Sequence, residues 1–171
     1  MPVKQHKLPM PWKVRETLRI LENFCRAERA KFNLQQLPSD TLSQRTRAIA
    51  CNALLDGQVL DYCKIFFDHK SEVYLDKTIR EIDRNPDDWL IGTRICRALI
   101  ENEKTLFRNY RDKFVSHRDM VHIAQIPSLE LARLVCQTLH DYLVAELKKT
   151  GLDGRYPSYS DVYKFDLTDR P

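Results

Sequence analysis

The stretch "NYRDKFVSHRD", residues 109–119, brings Arg111, Asp112 and His117 within seven positions. A guanidinium can hold two phosphate oxygens through its planar fork, and an imidazole near its ordinary pKa can give or take a proton at neutral pH. Together these groups could cleave RNA by attack of the ribose 2′-OH. That reaction needs a base for the hydroxyl, an acid for the departing 5′ oxygen and a cation for the charge building on phosphorus. It needs no metal. The bland reading is a solvated helix end whose histidine caps a carbonyl.

On a continuous ideal helix Arg111 and His117 would point roughly 120° apart. They converge only if the helix ends between them, which "SHRDM" places near Val115 or Ser116. Asp112 or Asp119 would then orient the imidazole. One histidine per chain leaves an acid or a base missing, because the two act on opposite sides of the phosphorus. A two-fold dimer would supply the second. Arg108, Lys113 and Arg118 flank the motif as candidate RNA-backbone contacts, although charge runs are most often solvated faces. Tyr110 and Phe114 could stack on bases, but their positions fit core packing better. Arg133 and His140 also fit the pattern of an Arg followed by four to six residues and a His, but they lie inside the last helix with Leu134 after the arginine, and are set aside.

The elements that must position these groups read as helices. Val14, Leu18, Leu21 and Cys25, with Phe24, form one face of a helix following Pro11. Pro38, Ser39 and Asp40 suggest the start of a second helix from about Thr41, with Leu42, Ile49, Ala53, Leu60, Cys63 and Phe67 inward and a kink or close contact at Gly57. Val73, Leu75, Ile79 and Ile82 mark a short helix. A further helix is expected from Trp89, burying Ile91, Ile95, Ala98, Leu99, Leu106, Tyr110 and Phe114. Pro127 and Ser128 open a last one, with Leu131, Leu134, Val135, Thr138, Tyr142 and Leu147 inward and Gly151 closing it.

The expected fold is therefore all-α: an up-and-down bundle of four to five helices over residues 1–150, followed by an irregular Tyr-rich tail, 151–171. Only four glycines among 171 residues argue against a turn-rich β fold or a glycine-looped nucleotide site. A net charge of +4 permits a polyanionic partner without requiring one. Five cysteines, odd in number and without C-x-x-C spacing, read as reduced core residues. His6, His69, His122 and His140 lack a matching ligand cluster, so no metal and no cofactor are expected. No run reaches the roughly 18 apolar residues of a membrane span, and no signal segment is evident, so a cytoplasmic protein without membrane contact is expected.

The "RDKFVSHRD" stretch in this helical context resembles the HEPN superfamily, and its wording is most similar to the abortive-infection branch. The resemblance implies a homodimeric, metal-independent endoribonuclease of bacterial defence or toxin-antitoxin systems. Arg111 and His117 match the family's catalytic pair, and Asp112 its polar position. RNA, a second copy of the chain, and an antitoxin or regulatory partner are the implied partners. A non-enzymatic helical dimer that binds RNA, a nucleotide or a protein is the rival expectation.

Overall fold

The computed structural model describes residues 10–38, 40–112 and 126–149. Helix α1 spans Trp12–Gln36, α2 Gln44–Phe66, α3 Leu75–Arg80, α4 Arg97–Tyr110 and α5 Glu130–Lys149, with a 3-10 turn at Asp88–Leu90 before α4. The chain is an all-α bundle with four long helices, and three sets of contacts join them. Gln58 on α2 donates to the Phe24 carbonyl of α1 while Arg47 reaches the carbonyls of Leu37 and Pro38. Tyr62 donates to Glu103 and Tyr110 to Asp56 between α2 and α4. Glu22 faces His140 and Glu28 faces Arg133 between α1 and α5. Between α1 and α2 and between α1 and α5 one residue number rises as the other falls, so these pairs run antiparallel.

The end of α1 and the start of α2 have identifiable causes. Leu37, ahead of Pro38, is driven to ψ 140° because the proline ring excludes the helical region for the residue before it. Arg47, in the first turns of α2, covers the carbonyls left open there, 2.8 Å from Leu37 O and 3.2 Å from Pro38 O. The cap of α2 is Ser43, whose Oγ accepts from the Thr46 N–H at 3.2 Å. The expected start near Thr41 is thus displaced, since the Thr41 N–H is bonded to the Pro38 carbonyl in a turn of its own. Gly57 neither breaks α2 nor meets a close neighbour, because a Cβ built there has nothing within 4 Å.

The face of α1 falls where the pattern placed it, with Val14, Leu18, Leu21 and Cys25 at 0% exposure. In α2 the buried residues run only from Gln58 to Phe66. Ile49 is 61% exposed and Ala53 is exposed, contrary to the expected inner face. Opposite α2, the last α-helical residue of α4, Tyr110, reaches Asp56.

The helix expected from Trp89 begins instead at Arg97. Gly92 takes φ 76°, in the left-handed region that favours glycine, and Thr93 bonds back to the Leu90 carbonyl at 2.8 Å. Ile91 is therefore 78% exposed in a turn rather than inside a helix. The buried stripe of α4 is Ile100, Phe107 and Tyr110, while Ala98 and Leu99 are exposed. Glu103 occupies the middle of this stripe, its carboxylate accepting from the Tyr62 hydroxyl at 3.4 Å. An acidic residue at the centre of the inward face hid the true register. Arg97 pins the start of α4 to the preceding connector through Asp76 at 2.7 Å, Asp87 and the Pro86 carbonyl.

Tyr62 is the hub of the core, its ring 4.6 Å from that of Phe66, 4.7 Å from Phe107 and 5.4 Å from Phe67. Aromatic pairs at such separations add packing attraction to the burial of their large surfaces. A buried hydroxyl pair, Thr17 and Thr78 at 2.9 Å, ties α3 to α1. Helix α5 supplies Ala132, Val135, Cys136, Leu139, Leu143, Val144 and Leu147. Val135 and Leu147 face inward as expected; Leu134 does not, being 47% exposed. All five cysteines are free, with Cys25, Cys63 and Cys136 buried. Cys51 is half-buried and Cys96 exposed, which corrects the expectation that all five are core. No described helix is long and apolar enough to cross a membrane.

Candidate functional site

The described part of the candidate site is the C-terminal end of α4, where it meets the end of α2. The α-helical bonding of α4 runs to Tyr110, the Arg111 N–H bonds to the carbonyls of Phe107 and Arg108, and Arg111 and Asp112 continue the path in π-helical geometry. Lys113, Phe114, His117, Arg118, Asp119 and His122 lie outside the described residues, as do His6 and the tail. Val115 and Ser116, the expected end of the helix, lie outside them too.

Arg111 and Asp112 are brought together: the Nε–H of Arg111 donates to Asp112 Oδ1 at 2.7 Å. The arginine side chain is 28% exposed and the carboxylate 57%, so the pair sits at the rim of the bundle. The Asp112 carboxylate is the main cause that holds Arg111 firmly protonated, above the ordinary guanidinium range, with Cys63 and Asp68 adding to it against some burial. Only Nε is used by the Asp112 pair. The outer Nη edge of the fork keeps the geometry that two phosphate oxygens require.

Arg108 is turned the other way. Its guanidinium donates to the Phe67 carbonyl just past the end of α2, where helix carbonyls lack internal partners. Its Nε is buried and without a hydrogen-bond partner. Arg108 thus clamps α4 to α2. Tyr110 is a core residue, 5% exposed, with its hydroxyl donating to Asp56 Oδ1 at 2.9 Å. Burial, and then Asp56, push its phenol well above the ordinary range. It presents no ring face for a base.

Residues distant in sequence complete this corner. Asp68 acts on both Arg111 and Cys63, and the Cys63 thiol is pushed up to about 11, chiefly by burial, against the opposing pull of Arg111 and Arg108. A thiol so held stays protonated at neutral pH and is no nucleophile. No spacing rule links Asp68 to Arg111, forty-three positions on, so only the packing of α2 against α4 reveals them as neighbours.

The second Arg and His pair, in α5, serves a different end. Arg133 Nε lies 3.7 Å from Glu28 and the buried His140 ring faces Glu22, so both residues strut α5 against α1. His69 is exposed and sets its ring against Tyr74, centroids 4.5 Å apart. Among the described residues no group of three or more His, Cys, Asp or Glu side chains could hold a metal ion. No model of a known protein family, no curated protein and no solved structure matches this chain.

Proposed function

We propose that this chain is a metal-independent endoribonuclease acting as a two-fold dimer, in which each copy contributes Arg111 and His117 to one composite cleft. The reading is supported above all by Arg111: a rim guanidinium at the end of α4, held protonated, with its Nη edge clear of the Asp112 pair. In the proposed reaction one imidazole takes the proton of the ribose 2′-OH. The other protonates the departing 5′ oxygen. The arginine forks bind the phosphorus oxygens as negative charge develops on them. Asp112 tethers Arg111, and Asp119, Lys113 and Arg118 are assigned to orienting the imidazole or binding the RNA backbone. The biological setting we assign is prokaryotic defence or a toxin-antitoxin pair, with an antitoxin or regulatory partner restraining the activity.

The test is cleavage of structured RNA in excess EDTA by the purified protein. Wild type should cut, and Arg111→Ala and His117→Ala should each lose cutting while remaining folded and dimeric. Equal activity in wild type and His117→Ala would remove the catalytic assignment, and loss of cutting in EDTA would remove the metal-independent mechanism.

One observation favours a second reading, in which the protein is a helical dimer that binds RNA, a nucleotide or a partner protein without cutting. The Asp112 carboxylate already neutralises part of the Arg111 charge and would repel an incoming phosphate. Binding of RNA without cleavage under any divalent-ion condition would select this reading.

A further inference from the structure

The buried face of α5 carries an imidazole, His140, at 0% exposure. Its Nε2 stands 3.8 Å from Glu22 Oε1 of α1, and its Nδ1 stands 3.5 Å from Asp141 Oδ1 of its own helix. A neutral imidazole bears a hydrogen on one ring nitrogen and a lone pair on the other. With a carboxylate oxygen facing each nitrogen, the neutral ring would have to point a lone pair at an anion. The imidazolium, with a hydrogen on both, suits both carboxylates by charge, Asp141 at hydrogen-bond distance and Glu22 as an ion pair at 3.8 Å, beyond hydrogen-bond distance.

The further charged groups around this seam are of both signs. Glu28 of α1 faces Arg133 of α5; Glu28, Asp61 of α2 and Glu103 of α4 act on Cys136, one turn back along α5; and Glu146, Asp88 and Arg84 act on Tyr142. Burial by itself disfavours the charged ring, but Asp141 and Glu22 outweigh it and hold His140 above the ordinary histidine range.

We propose that His140 is a proton-held clasp between α1 and α5: as an imidazolium it joins Glu22 to Asp141, and loss of its proton loosens the seam between the two helices. Because the folded protein holds this proton more tightly than the unfolded chain, the stabilisation is fully present below about pH 6.5, the unfolded value. It is lost as pH rises through the higher folded value.

The test is an NMR titration of the His140 ring in the full chain, combined with urea denaturation of wild type, His140→Gln and Glu22→Gln across neutral and mildly alkaline pH. The expected result has three parts. The His140 resonance, assigned by its absence from His140→Gln, titrates above about 6.5. Glu22→Gln moves that midpoint down. The fall in wild-type stability with rising pH is flattened in both variants. Should His140→Gln fail to fold, the downward shift of a single resonance in Glu22→Gln makes the assignment. A His140 midpoint at or below about 6.5, or equal pH slopes in wild type and variants, would overturn the proposal.

Discussion

Tyr110, the last residue of α4, donates its hydroxyl to Asp56 of α2 across 2.9 Å, immediately before the arginine on which the proposed chemistry depends. The bond sets where the end of α4 stops along α2, and therefore where Arg111 leaves the bundle. Replacing Tyr110 by Phe keeps the ring and removes the donor, leaving a carboxylate that has lost its partner. We expect a loss of about 1–2 kcal/mol, read as a lower urea midpoint with an unchanged m-value. A variant as stable as wild type would show that ring packing alone holds this corner.

Asp112 has two opposite effects on Arg111, tethering the guanidinium and neutralising it. Asp112→Asn keeps an oxygen that can accept from Nε while removing the negative charge. RNA affinity should rise and its salt dependence should steepen, since the phosphate meets a less neutralised cation. Filter binding at several salt concentrations measures both. Unchanged affinity and slope would mean that Arg111 does not meet the phosphate backbone.

Helix α5 allows a direct comparison of two leucines. Leu143 is 0% exposed and Leu134 is 47% exposed. Leu143→Ala should cost about 2–5 kcal/mol, combining lost burial with the cavity left behind. Leu134→Ala should stay within about 0.5 kcal/mol. Equal losses in chemical denaturation would contradict the observed register of the helix.

Glu103 lies on the inward stripe of α4, and burial holds its carboxyl above the ordinary range, with the Tyr62 hydroxyl opposing. A carboxyl whose folded pKa is raised makes the folded state bind protons more tightly than the unfolded chain. Stability therefore falls as pH rises from about 4.3, the unfolded value, through the higher folded value. Glu103→Gln can still accept from Tyr62 and should flatten this slope while being at least as stable as wild type at neutral pH. A steeper slope, or a clear loss of stability at pH 7, would assign Glu103 a favourable charged partner instead.

The arrangement of hydrophobic residues and of prolines determined much of the fold. Val14, Leu18, Leu21 and Cys25 recur at helical spacing along a face that packs on one side only, so the pattern and the packing coincide. Pro38 ends α1 through a steric rule that needs no tertiary partner. The pairing of Arg111 with Asp112 needed no tertiary partner either, since the two are adjacent in the chain and meet through a local bond.

The tertiary structure decided everything that depends on what lies opposite. Ile49 is apolar and correctly spaced yet 61% exposed, so no described helix covers it. Glu103 is charged yet faces inward, because Tyr62 stands across from it. Arg108 and Arg111 sit three positions apart in the chain, yet the first donates to the open carbonyl of Phe67 and clamps α2 while the second pairs with Asp112 at the rim. Periodicity records which residues share a face; burial depends on whether another helix covers that face, and this is fixed by helix lengths, crossing points and partners distant along the chain.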